Sequence, residues 1–439
     1  MSDTTGLTER AADARKTFCA VNPHCLQSIV RLAQESAVMV SADLVDDDGA
    51  TLCASGATVS RSIEVTLGQR RLRQPLEACL ELVPGISSAD LADDCRALMR
   101  QTPALALLGA DGGAALARAL GQLPRSGPLT LLLTIAKKFN PGIYQNSLAA
   151  MIVCSGLAAG LKLSERDGEL LILAALVKDV GESYLNPQLI DGRLPAREWP
   201  QVAAHPAIGH AFVTAFTDFP PALADCVLQH HERQDGSGYP QALSAAQINP
   251  LATLVGLADC VSAVLMGGAR EFSPDARFGS SLAERVTVAL TLVPGEFPPA
   301  AVAVVAAALA PLADAARAIA SGSFARRILP TLQQIRAARL LAEALSKNAP
   351  TPGLAAIGEF VLAAIHGLDQ SLRAIGVYDL SQLGVLESDP LLMGKTCLTV
   401  DEVGWRLRHL ARSVYLRTAQ RGEDLAPVAE LIAELGALG

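Results

Sequence analysis

The sequence predicts a mainly α-helical protein, and three observations carry that expectation. Helical periodicity dominates from Leu129 to about Leu312. Its interruptions are short and rich in Pro or Gly, as at Asn140-Pro141-Gly142, Asn186-Pro187, Phe219-Pro220-Pro221 and Phe297-Pro298-Pro299. Strand-like character is confined to one stretch near the N-terminus. The implied organisation is a small α+β N-terminal domain over 1–125, built of a hairpin plus helices and suited to regulation. An all-helical bundle follows over 126–312, and a helical C-terminal region over 313–439.

Taken in order, Val38 to Val45 reads as a short strand, Asp46 to Gly49 as a hairpin turn and Ala50 to Ala54 as the return strand. Ile63 to Leu82 reads as helical, with a break at Pro75. The Asp46-Asp47-Asp48-Gly49 cluster is a turn and not a calcium loop, because Leu44 and Ser55 stand where an acid and a glutamate would be needed. Gly109-Ala110-Asp111-Gly112-Gly113 has neither the G-x-G-x-x-G order nor a phosphate-binding lysine, and marks a helix boundary. Gln122 to Pro128 is the first linker and Ser346 to Gly353 the second. The chain closes with helices around Val403 to Thr418 and Leu425 to Leu438.

Half of the 439 residues are apolar and 18% are charged, which excludes intrinsic disorder. Mean hydropathy is +0.31. The longest uncharged stretches, Phe139 to Leu161 and Gly236 to Ala258, are nevertheless broken by Pro, Asn and Gln, and Phe297 to Ala313 by three prolines, so no membrane span is expected. Asp3, Glu9 and Asp13 precede any apolar run, unlike a secretory signal. A net charge of -8 without a long basic cluster argues against a nucleic-acid partner. The nine cysteines are scattered singly with no CxxC, which suits reduced thiols and a cytoplasmic location.

Of the seven histidines, three are placed to meet. His205 precedes Pro206, which suits a helix start with His205 at the N-cap. The helix from Pro206 to about Phe216 is followed by a Pro-Pro turn and a second helix, Ala222 to about Glu232, ending in His230 and His231. Two antiparallel helices of similar length bring the start of the first beside the end of the second, so His205 belongs close to His230 or His231. Imidazoles with a carboxylate form a donor set for a divalent transition metal such as Fe, Mn, Zn or Ni. The plainer alternative for the His-His pair is a helix C-terminal cap.

The string that follows, His230-His231-Glu232-Arg233-Gln234-Asp235-Gly236-Ser237-Gly238-Tyr239-Pro240, resembles at every specified position the HHE-x-x-DG-x-GYP signature of the HD-GYP family. That family comprises cyclic di-GMP phosphodiesterases within the HD superfamily of metal-dependent phosphohydrolases. The resemblance implies an HD-type helical bundle over 126–312, with Asp235, Gly236, Gly238, Tyr239 and Pro240 facing substrate or partner. Gly236 and Gly238 let the backbone turn, and Tyr239 offers a ring and hydroxyl at the pocket rim. His205-Pro206 with Gly209, Leu257-Ala258-Asp259, and Gly295-Glu296-Phe297 with Pro299 look like further family segments.

The pattern departs from the family in three places. Where His-Asp-x-Gly-Lys is expected, the chain reads Lys178-Asp179-Val180-Gly181-Glu182, and Asn146 stands where the first ligand histidine would open the domain. An Arg-Pro-Tyr-Arg-like segment after Asp259 is represented at most by Arg270. Carried over residue by residue, one ion site becomes Asn146, Lys178, Asp179 and Asp259 and is degraded. The other keeps Asp179, His205, His230 and His231, so at most one metal is expected. An ammonium at Lys178 can neutralise Asp179 and Asp259; the alternative is that it snorkels to solvent. Two functions stay open: a catalytically weak or silent member that binds cyclic di-GMP or a related cyclic dinucleotide or docks a GGDEF-type protein, and an active metal-dependent phosphodiesterase. The flanking helices suit regulation or a homodimer.

Overall fold

A computed structural model describes residues 13–68, 70–189, 194–267, 282–315, 324–378 and 390–437. The protein is mainly helical, and the chain forms two compact units, each assembled from separate segments. The first unit comprises Met1–Asp191, Gln201–Glu232 and Gln247–Ser262; the second comprises Gly192–Pro200, Arg233–Ala246 and Ala263–Gly439.

In the first unit, Asn22 caps the helix Pro23–Ala33 by accepting from two backbone N–H groups. The chain then enters two small antiparallel strand pairs. The strand expected over Val38 to Val45 is two strands, β1 (Val38–Val40) and β2 (Leu44–Val45), because each has a different partner. β2 pairs with β3 (Thr51–Cys53) as the expected hairpin, whereas β1 pairs with β4 (Leu80–Leu82). The turn between β2 and β3 is held by Asp46, whose carboxylate accepts from Ala50 N–H at 2.9 Å and pairs with Arg70 at 3.1 Å. The helical reading of Ile63 to Leu82 holds only for Arg61–Leu67. Leu80-Glu81-Leu82 alternates buried, exposed and buried, and cross-strand pairing with β1 prevails over helix propensity.

Helices Ser88–Gln101, Pro103–Leu108 and Gly113–Gly121 lead to Pro128–Phe139, which follows the expected linker. The helix Pro141–Gly160 is the core of the unit, with every residue from Ser147 to Ala158 buried. Gly156 lets the backbone of Leu108 approach: a Cβ there would lie 1.7 Å from the Leu108 carbonyl oxygen. Pro141–Gly160 and Pro352–Ala374 are long and apolar enough to cross a bilayer by length and composition; two thirds (67%) of the first is buried inside the protein, as a core helix requires. Ser164 caps the helix Glu165–Val177, which ends at Lys178. A short 3-10 turn, Val180–Tyr184, follows Asp179. The helix His205–Phe216 starts at His205 itself, with Ala204 as its N-cap, and Pro221–Gln229 ends one residue before His230. Pro250–Leu265 carries Asp259.

The second unit is built on the helices Phe324–Asn348, Pro352–Ala374, Pro390–Gln420 and Ala429–Gly436. Its core joins Ile335, Ala342, Ile357, Val361, Leu407 and Val414 among others. The closing helix expected around Val403 to Thr418 begins earlier, at Pro390.

Candidate metal centre

Three structural pieces of the first unit supply the donors. Asp179 leaves the end of Glu165–Val177, His205 opens its helix, and His230 and His231 follow the end of Pro221–Gln229. The antiparallel arrangement read from the sequence brings the imidazoles together, with ring centroids 5.3 Å apart for His205 and His230 and 4.0 Å for His230 and His231. One donor atom from each of Asp179, His205, His230 and His231 lies within 4.8 Å of the others.

The hydrogen bonds behind these rings set their chemistry. His205 Nδ1 lies 2.8 Å from Val202 O, and His230 Nδ1 lies 2.7 Å from Val227 O. A carbonyl can only accept, so both Nδ1 atoms carry a proton, and in the neutral ring Nε2 is the nitrogen left with a lone pair. Those Nε2 atoms face each other at 3.4 Å and stand 3.6 and 3.5 Å from Asp179 Oδ1. Two imidazole nitrogens that can present lone pairs converge with a carboxylate oxygen, and this donor set fits a divalent transition metal. Burial above all pushes His205 down to about 4, which keeps it neutral at pH 7. The sequence reading missed the two orienting carbonyls. Their signal is the spacing: each stands three residues before its histidine at a helix terminus.

The other half of the centre holds an ammonium. Lys178 is fully buried and pairs with Asp179 Oδ2 and, at 2.7 Å, with Asp259 Oδ1. The snorkelling alternative is thereby overturned, because the lysine side chain ends among carboxylates and not at the surface. Burial would raise the Asp179 carboxyl, but the Lys178 ammonium together with the neighbouring His230 and His205 outweighs it and holds Asp179 well below the usual carboxylate range. Asp259 is lowered by the same balance. Burial opposes the charge on Lys178, and its two carboxylates more than restore it, so its value rises. Asn146 donates from Nδ2 to Asp259 Oδ1 at 3.2 Å, while its buried Oδ1 has no hydrogen-bond partner among the described residues. Glu182 lies in the Val180–Tyr184 turn.

Asp235 to Pro240 belong to the second unit. Asp235 Oδ1 accepts from Ser237 N at 3.0 Å, and Gly236 takes a left-handed φ of +77°. Tyr239 was expected at a pocket rim. Its ring is instead buried, 6% exposed, edge-on to Trp199 at 5.6 Å, because Trp199 and His409 supply an aromatic environment for it. Arg270 lies outside the described residues.

Residues 131–271 match the family model of the HD domain. The 3'3'-cGAMP-specific phosphodiesterase 3 of Vibrio cholerae is 31% identical over 110 residues, 25% of this chain and 24% of that protein. The cyclic di-GMP phosphodiesterase PA4108 of Pseudomonas aeruginosa is 30% identical over 28% of this chain and 30% of its own length. The cyclic di-GMP phosphodiesterase response regulator RpfG of Xanthomonas campestris pv. campestris is 32% identical over 30% of this chain and 36% of its own. The similarity thus spans about a quarter to a third of these curated relatives. Among solved structures, a HDG"Y"P protein from Bdellovibrio bacteriovorus shares 19% identity at a TM-score of 0.33, over 51% of this chain and 70% of that one. The helical middle of the chain, with its aspartate and three converging histidines, is an HD domain. With the GYP segment a few residues after the paired histidines, this domain is similar to those of the HD-GYP family.

Proposed function

We propose that this chain is a degenerate HD-GYP protein of cyclic di-GMP signalling, catalytically weak or silent, which acts by binding a cyclic dinucleotide or by docking a partner such as a GGDEF-type protein. The observation that carries this reading is Lys178, whose buried ammonium joins Asp179 to Asp259. In a two-ion phosphodiesterase both ions clamp the in-line displacement. Here one carboxylate oxygen of Asp179 is committed to an ammonium, which carries charge but offers no coordination site for a reacting oxygen. Asp179, His205, His230 and His231 hold at most one divalent metal, which when bound supplies Lewis acidity to a phosphate oxygen.

A second reading, active hydrolysis of cyclic di-GMP through the remaining donors, is favoured by the completeness of that four-residue set. Metal content per chain by plasma mass spectrometry, together with cyclic di-GMP turnover, separates the two. The proposal expects no more than one metal and turnover far below the ~1 per second of ordinary enzymes. Turnover at that scale, abolished by His231→Ala, would establish the second reading instead.

A further inference from the structure

Segment 233–240 is held along its length by one face of the C-terminal helix Pro390–Gln420. Arg417 Nη2 donates to Gly236 O at 2.7 Å and to Gly238 O at 3.1 Å, and Gln420 Nε2 donates to Pro240 O at 3.1 Å. The Tyr239 ring lies 6.3 Å from His409. At the start of the segment, Arg233 and Arg406 share the Glu296 carboxylate at 3.2 and 2.6 Å, and Gln234 N–H donates to Glu296 O. At 100° per residue, positions 406, 409, 417 and 420 fall within an arc of about 80° on one helix face. The Arg417 guanidinium is itself fixed over the Phe360 ring, 4.0 Å from its centroid.

We propose that the helix Pro390–Gln420 is the GYP motif's own partner: an intramolecular strap that covers the motif and must be released before a ligand or another protein can use it. The strap caps three backbone carbonyls of the motif and buries the one aromatic side chain the motif offers. An external partner competes with contacts already made at the effective concentration of a tethered helix. That the covered surface is a recognition surface rests on the function proposed above; the strap itself does not.

The test uses the full chain, whose only tryptophans, Trp199 and Trp405, both pack on His409, at 5.7 and 5.2 Å. Tryptophan emission and its quenching by acrylamide therefore read this cluster alone. Arg417→Ala with Gln420→Ala is expected to red-shift the emission and to speed amide exchange over 233–240 by about tenfold or more, the effect of removing charge-assisted hydrogen bonds. Exchange in His205–Phe216 stays as in the parent. If the double variant fails to fold, Arg417→Lys keeps the charge but loses the fork, and a smaller acceleration is expected. Unchanged exchange over 233–240 in either folded variant overturns the strap. Cyclic di-GMP is the probe for occlusion: about tenfold tighter binding by the released variant than by the parent supports it, and equal measurable binding overturns it. Binding by neither, with exchange accelerated, supports the strap and removes the proposed nucleotide function.

Discussion

A buried ammonium between two carboxylates is stable only while both partners remain ionised and within reach, since a charge removed from water has no other compensation. Lys178 meets that condition with Asp179 and Asp259. Lys178→Met keeps the length of the side chain and leaves two buried carboxylates facing each other. The expected loss is about 3–5 kcal/mol, measured by urea denaturation of the metal-free protein. Lys178→His with Asn146→His removes the ammonium and adds two imidazoles beside Asp259, so metal content should rise by one ion per chain. Each single change should do less than half of this, because Lys178→His leaves the asparagine, and Asn146→His leaves the ammonium repelling the ion. A folded double variant with the parent's metal content would show that Lys178 does not occupy an ion's place.

Helix termini position every metal donor, so packing between elements decides whether the donors converge. Two of the donor-bearing elements approach closely at Gly181, in the turn after Asp179. A Cβ at that position would lie 2.1 Å from His205 O and 2.8 Å from Gly209 N, both backbone atoms of the helix that carries His205. Backbone cannot yield as a side chain tip can, so Gly181→Ala must separate the turn from the helix. The expected cost is about 1–3 kcal/mol of stability. Titration of the apo protein with Zn²⁺ should also show affinity weakened by tenfold or more, as Asp179 moves away from His205 and His230. Destabilisation with unchanged affinity would mean that the donors are held independently of this contact. Gly236, by contrast, is required by its left-handed φ and by no close neighbour.

Within the first unit, the strand-bearing N-terminal part and the helices of the centre form one compact body. Asn22 Nδ2 donates to Tyr184 O, and Phe18 packs on Tyr184, Phe212 and Phe216. Beside Tyr184 lies Glu77, a buried carboxyl whose Oε1 is 3.5 Å from Cys25 Sγ. Burial raises Glu77 above its usual 4.5. A carboxyl whose folded value is raised leaves stability intact below about pH 4.5. The protein then loses stability as pH rises toward the folded value, because the unfolded chain releases its proton first. Glu77→Gln keeps the shape without the proton equilibrium. Its melting temperature should fall less than the parent's between pH 5 and pH 8; parallel curves would show that Glu77 stays charged in the fold.

Two kinds of information can be separated by their distance along the chain. The amino-acid order alone determined the run from His230 to Pro240, the helix start at His205-Pro206 and the register that puts Lys178 beside Asp179, because covalent adjacency and helical period suffice for each. It also carried the helical class, through periodicity and Pro/Gly breaks. Folding decided the rest. β4 became a strand because β1 was there to pair with it, and Tyr239 became buried because Trp199 and His409 reached it. Lys178 meets Asp259 across 81 positions and Arg417 meets Gly236 across 181, separations at which no local pattern constrains contact. Whether Lys178 reached solvent or a second carboxylate was therefore settled by how the helices pack, since burial and a partner at 2.7 Å belong to the tertiary structure alone.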